Sequence, residues 1–132
     1  MRHFLIPIAV LAAGACATTQ GNYNIRGPEW QAQDVNGVPL AGTRPLTLRL
    51  DGKNASGNSG CNSFSADVRI SEERLQFGPI ASTRMACEPA VMEQEQRYLA
   101  ILGAARSYSR YGNGSISLIA PDGRAIRFRR VP

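Results

Sequence analysis

Two segments of this chain alternate strictly between apolar and polar residues, and this pattern constrains the fold more than any other feature. In residues 46–50 (LTLRL) three leucines are separated by Thr and Arg, and in residues 64–70 (FSADVRI) apolar side chains again occupy every second position. Successive side chains of a β-strand point to opposite faces, so each segment predicts a half-buried strand. A register slip of one residue would expose every apolar side chain, so the pairing of these strands is strongly specified.

Turn signals separate further short apolar segments. Asn-Gly at residues 36–37, Gly-Asn-Gly at 112–114 and Pro-Asp-Gly at 121–123 are typical of tight turns between antiparallel strands. The glycine-rich residues 55–60 lack the Gly-Lys-Ser/Thr ending of a phosphate-binding loop, and they predict a bent strand whose glycines allow close backbone approach.

One segment predicts a helix. It begins after Cys87 with Pro89, which suits a first helical turn, and Gly103 is a plausible end. Glu88, Glu93 and Glu95 are expected to complement the helix dipole and to remain as surface charge. An apolar stripe with a single interruption follows a 3.6-residue period and comprises Val91, Met92, Glu95, Tyr98, Leu99 and Leu102.

These elements together predict an α+β fold. We expect a curved antiparallel β-sheet or a small barrel-like meander, with one helix packed on it or plugging it. A chain of 132 residues has room for one such domain.

The first 15 residues predict an export signal. An apolar run at residues 4–15 follows Arg2 and is too short to span a membrane. The small residues before Cys16 resemble the bacterial lipobox, in which the cysteine is diacylated and becomes the first residue of the mature protein. The alternative is ordinary signal cleavage that leaves Cys16 as a free thiol. Residues 16–26 are expected to form a flexible tether and residues 27–132 the domain.

The residue after Cys16 bears on localisation. Ala17 is not the aspartate that retains lipoproteins in the inner membrane of enteric bacteria. By that resemblance we expect a protein anchored by lipid to the outer membrane and facing the periplasm.

Cys61 and Cys87 form an even pair once Cys16 is lipidated. In an oxidising compartment such a pair predicts a disulfide, and the alternative is two buried free thiols.

The residue composition of the mature chain argues against an enzyme. The only histidine is His3, in the predicted signal, so the mature chain lacks the imidazole of Ser-His-Asp and Cys-His catalysis and of common zinc sites. We predict no catalytic residue, no metal and no cofactor. Asn62 could bind a ligand, although amides at such bends usually cap local backbone groups. Arg84 could pair with an acidic group of the domain or anchor an anionic ligand.

The net charge of +5 is carried almost wholly by arginine. No interleaved basic and aromatic motif indicates nucleic-acid binding, and we expect a monomer. Strand alternation places Arg49, Arg69, Arg127 and Arg129 opposite the apolar faces. These arginines are either a solvated surface or a basic face for lipid head groups, anionic glycans or an acidic envelope protein.

Two motifs resemble the signatures of the META domain, or HslJ-like, family: a Gly-Cys-Asn tripeptide with a following aromatic residue, and a Thr-x-Met-Ala-Cys segment before a glutamate-bearing helix. Ser65 and Ala66 depart from the glycine and aromatic residue often found after the tripeptide. The resemblance covers about residues 27–132. The motif residues are Gly60, Cys61, Asn62, Phe64, Thr83, Arg84, Met85, Ala86 and Cys87.

The resemblance implies a barrel-like fold with one helix in envelope, secreted or stress-related proteins, and it implies no transferable chemistry. We therefore expect a non-enzymatic lipoprotein that binds a partner or helps to maintain the envelope under stress. Two alternatives are a lipid-tethered inhibitor or pilot-type partner of another protein, and a carrier of a small apolar ligand.

Overall fold

The computed structural model describes residues 9, 10, 14 and 24–132, and the predicted lipidation site Cys16 lies outside the described residues. In the described part, ten strands accompany one helix, α1 (Pro89–Ala104). The strands are β1 (Glu29–Val35), β2 (Val38–Pro39), β3 (Thr47–Asp51), β4 (Asn54–Asn58), β5 (Ser63–Ser71), β6 (Arg74–Phe77), β7 (Ala81–Ser82), β8 (Ser107–Arg110), β9 (Ile116–Ile119) and β10 (Ala125–Arg130).

Eight of these strands form a closed antiparallel barrel. The order around the barrel is β1-β3-β4-β5-β6-β8-β9-β10, and β10 pairs with β1 to close it. The short strands β2 and β7 pair outside this ring with β1 and β5. The α+β class with a barrel-like meander is therefore confirmed. Closure also removes the exposed edges that an open sheet would present.

The predicted alternation sets which side chains fill the barrel. Leu46, Leu48 and Leu50 are all 0% exposed, while Arg49 between them is exposed. The hairpin predicted at residues 36–37 joins β1 to β2, with Asn36 and Gly37 both at positive φ. Positive φ at both positions is what a two-residue hairpin with a type I′ turn requires.

Gly57 in β4 allows the close backbone approach predicted for the glycine-rich segment. A Cβ atom built at this position would lie 2.0 Å from the carbonyl oxygen of Thr47 on β3. Any larger residue would therefore force the two strands apart.

The helix plugs the barrel through Tyr98. Its ring makes edge-to-face contacts with Phe64 and Phe128, at centroid distances of 5.8 and 6.2 Å, and its hydroxyl donates to the Thr47 carbonyl at 2.9 Å. These partners lie on β5, β10 and β3, so one side chain links three parts of the wall. Burial raises the pKa of Tyr98 above its ordinary range, which keeps the phenol neutral and able to donate this bond.

The packed domain begins before residue 27. Ile25, which the sequence pattern assigned to the tether, is buried, and its carbonyl accepts a hydrogen bond from the Trp30 indole at 2.8 Å. An apolar side chain beside a tryptophan gains more from burial than from solvation. Among the described residues, no helix is long and apolar enough to cross a membrane.

Candidate functional site

The two sequence motifs meet at the end of the barrel that carries the helix. Cys61 and Cys87 form a disulfide with an S–S distance of 2.02 Å and a Cα–Cα distance of 6.0 Å, as the even pair of cysteines predicts. The disulfide ties the bend between β4 and β5 to the segment that enters α1. We call residues 83–87 of that segment the signature loop.

Asn62 joins the bend to the signature loop by side-chain hydrogen bonds. Its Oδ1 accepts from the Thr83 hydroxyl at 3.0 Å and from the Met85 amide at 2.6 Å. Its Nδ2 donates to the Met85 carbonyl at 3.2 Å and to Glu95 Oε2 at 2.9 Å. Two acceptor and two donor positions are the full capacity of an amide side chain. The geometry therefore supports the structural role of Asn62 over ligand binding.

Glu95 lies beneath this contact, and the prediction that it stays on the surface is wrong. Its side chain is in the core, with the residue 4% exposed. Oε1 accepts from the Asn62 amide at 2.9 Å and from the Ser59 hydroxyl, which is also buried. The cost of burying a carboxylate is offset where several donors converge on it. The other two glutamates, Glu88 and Glu93, are exposed as expected, but neither lies within the first helical turn.

Two further residues belong to the site: the motif residue Gly60, and Gln94, which no sequence pattern singled out. Gly60 adopts φ +112°, a conformation that favours glycine, and a Cβ there would lie 3.4 Å from Gln94 Nε2. Gln94 is 1% exposed, and its amide exchanges two hydrogen bonds with the Ala41 backbone, at 2.7 and 3.1 Å. The apolar stripe predicted from sequence contains Glu95 and omits Gln94, although both lie on the buried side of α1.

The outer surface of the signature loop is solvent-exposed. Met85 is 52% exposed, and Arg84 is exposed and makes no ion pair within the part of the chain that the structure describes. Arg84 is therefore not the partner of an internal acid. Beside the loop lies an open groove of 430 Å³ whose apolar lining includes Ile80, Met92 and Leu99.

The four predicted surface arginines, Arg49, Arg69, Arg127 and Arg129, are all exposed. They do not lie on one face. Three of them flank β1, with Arg127 and Arg129 on β10 and Arg49 on β3. In the strand register, Glu29 of β1 lies opposite Arg49, and Asp34 lies opposite Arg127. Arg69 lies apart from them on β5.

The side chains of this site fix the position of the signature loop. Residues 9, 10, 14 and 24–132 contain no cluster of three or more potential metal-ligating His, Cys, Asp or Glu residues. The Glu95 carboxylate is occupied by the three hydrogen bonds that position the bend and the loop.

A small closed antiparallel barrel, plugged by one helix and tied at the plugged end by a disulfide between two sequence motifs, defines the class of this protein. The model of the META domain family matches residues 23–132, and the chain belongs to that family.

Solved structures share the fold. A protein from Burkholderia xenovorans, determined by NMR, is 24% identical, with a TM-score of 0.66 over 81% of this chain and 83% of its own. A second protein determined by NMR is 23% identical, with a TM-score of 0.65 over 80% of this chain and 90% of its own. No curated protein matches the chain.

Proposed function

We propose that this protein is a non-enzymatic binding module of the bacterial envelope, anchored by lipid at Cys16, that presents the signature loop to a partner protein. The observation that carries the proposal is the contrast between the two sides of the loop. Beneath it, the buried Asn62 and Glu95 network and the disulfide hold its backbone. Above it, Arg84 and Met85 are exposed and line an open groove whose apolar lining residues include Ile80, Met92 and Leu99.

A preorganised loop of this kind favours binding. Ordering a flexible segment at an interface costs free energy, and a loop already held in place avoids that cost. An exposed methionine adapts its shape to a partner surface, and an arginine adds directional hydrogen bonds. This arrangement supports the binding module and the related pilot-type or inhibitor role. The carrier role is less well supported, because Phe64, Tyr98 and Phe128 occupy the barrel interior.

A photoreactive amino acid at position 85 tests the loop in intact cells. We expect a discrete crosslinked adduct from position 85 and none from position 38, because Val38 is exposed to a similar degree but lies away from the loop. The adduct should disappear when Arg84→Glu reverses the charge beside the probe. The same adducts from both positions, or none from position 85, would contradict a loop-mediated partner.

The anchor is tested separately. Several acyl chains on one cysteine hold a protein firmly on a membrane, at about 0.8 kcal/mol per buried methylene. Replacing Cys16 with serine should therefore move the protein from the outer-membrane fraction to the soluble periplasmic fraction, as measured by immunoblotting of separated fractions. Unchanged fractionation of the variant would remove lipidation from the proposal and leave the loop hypothesis standing.

A further inference from the structure

Arg69 belongs to a second basic surface, away from the signature loop. Two contiguous depressions run along the outside of the barrel over β5 and β6, with volumes of 640 and 720 Å³. They adjoin one another, since Arg69, Ile70 and Gln76 line both, and we call the two depressions together the wall groove.

The wall groove concentrates positive charge. Its lining includes five cationic side chains and one carboxylate, that of Asp67. None of the five forms an ion pair with an acid in the described part of the chain. The cations are Arg26, Lys53, Arg69, Arg74 and Arg106, and Lys53 is the only lysine of the sequence.

Two of these cations are held in place by backbone carbonyls. Arg26 Nε donates to the Gly52 carbonyl at 3.0 Å, and Arg106 Nη1 donates to the carbonyls of Gly103 and Ala105 at 3.1 and 2.8 Å. Each guanidinium has five N–H donors, so donors remain for a ligand in both cases. Carboxylate, phosphate and sulfate groups match the fork of such donors.

Neutral polar side chains alternate with the cations along the groove. Gln76 on β6 lies opposite Arg69 on β5, and Ser107 on β8 lies opposite Arg74 on β6. Ser71 contributes a further hydroxyl, and half-buried Ile70 contributes an apolar surface. Hydroxyl and amide groups between cations suit a chain of sugars that bears acidic groups at intervals.

We propose that the wall groove binds an acidic polysaccharide of the cell envelope. Two adjoining depressions along the barrel wall fit an extended polyanionic chain, whereas a flat bilayer would contact a convex surface. Single-stranded nucleic acid is less well matched, because its binding grooves usually stack bases on aromatic side chains and the only aromatic side chain of the lining, Phe77, is buried. The inference goes beyond the proposed binding of a partner by the signature loop; it rests on the proposed envelope location and does not depend on acylation of Cys16.

The test uses the full-length chain carrying Cys16→Ser in a neutral detergent, with polygalacturonate oligomers as the probe. A variant with Lys53→Ala, Arg69→Ala and Arg74→Ala should bind polygalacturonate about tenfold more weakly or worse, since each lost charge pair contributes modestly and three are removed. The matched control, Arg97→Ala with Arg124→Ala and Arg130→Ala, makes the same change in net charge outside the groove and should bind within about twofold of the parent. Equal thermal unfolding midpoints would show that all variants fold.

Three results would overturn the wall groove as a glycan site. The first is binding that is equally weakened by the groove variant and the control, which would reduce the effect to net charge. The second is loss of binding only on Arg49→Ala with Arg127→Ala and Arg129→Ala, which would assign the ligand to the surface flanking β1. The third is tighter binding to vesicles rich in anionic phospholipid, or to a single-stranded oligonucleotide, than to polygalacturonate. None of these three results would affect the crosslinking at position 85, so the wall groove and the signature loop are tested separately.

Discussion

Replacing Glu95 with alanine is expected to lower the free energy of unfolding by about 3–5 kcal/mol, a large part of the stability of a small domain. The carboxylate accepts hydrogen bonds from the Ser59 hydroxyl and from both the backbone amide and the side-chain amide of Asn62. Removing it leaves the backbone amide and one side-chain N–H of Asn62 without an acceptor in a buried site, while the Ser59 hydroxyl keeps the Asn62 carbonyl at 2.9 Å. Each buried donor that is left unsatisfied costs about 1–3 kcal/mol, and the lost packing of the side chain adds to this.

The matched control for this change lies two residues earlier in the same helix. Glu93 is exposed, so Glu93→Ala should alter the free energy of unfolding by less than about 0.5 kcal/mol. Glu95→Gln keeps the shape and one acceptor oxygen, and it should cost about 1–2 kcal/mol. Urea unfolding followed by circular dichroism measures all three variants. A Glu95→Ala variant as stable as Glu93→Ala would show that the network does not hold the domain together.

Removing the disulfide should be the second largest effect. The bond between Cys61 and Cys87 closes a loop with a sequence separation of 26 residues, and the chain-entropy model assigns such a loop about 3–4 kcal/mol. Replacing both cysteines with alanine should lower the free energy of unfolding by this amount, mainly because the unfolded chain gains conformational freedom.

Reduction and alkylation test the disulfide chemically, in addition to the measurement of unfolding free energy. Reducing agent should destabilise the parent protein and leave the double alanine variant unchanged. Alkylation followed by intact-mass measurement of the unreduced protein should find neither Cys61 nor Cys87 modified. Two alkylated thiols at these positions before reduction would contradict the pairing, and a loss of less than about 1 kcal/mol would contradict its structural role.

The local pattern of the sequence predicted the strands well because burial enforces a period of two. The inward leucines of residues 46–50 and the exposed Arg49 are as the alternation requires. Closure of the barrel was not decided by the sequence pattern, since it depends on the pairing of β1 with β10 near opposite ends of the chain. Alternation within a strand carries no information about which distant strand lies beside it.

The buried polar residues were predicted less well, because their hydrogen-bond partners also lie far away in the sequence. Glu95 falls within the apolar stripe of α1, and a glutamate there could be read either as an interruption or as a buried group. Its donors, Ser59 and Asn62, lie more than 30 residues earlier in the chain, so no local pattern reveals them. The four predicted surface arginines illustrate the same limit, because alternation correctly placed each one outside the barrel but did not separate Arg69 from the others.

The motif residues of this META domain have structural roles that explain their spacing. Gly60 supplies the bend, Cys61 and Cys87 the covalent link, and Asn62 the hydrogen bonds that hold Thr83 and Met85. Arg84 and Met85 face solvent from the signature loop and take no part in that framework through their side chains. In the binding role that we propose, these two side chains determine what the loop binds. Variation at those two positions should change partner preference without changing the fold.

Amide hydrogen exchange at Met85 tests most directly whether the network holds the signature loop. Met85 is 52% exposed, yet its backbone amide donates to Asn62 Oδ1 at 2.6 Å. We predict that this amide exchanges at least about 100-fold more slowly than in an unstructured peptide, and that Asn62→Ala removes most of this protection while core amides such as that of Leu48 stay protected. Exchange of the Met85 amide in the parent protein at the rate of an unstructured peptide, with Leu48 still protected, would contradict a preorganised loop.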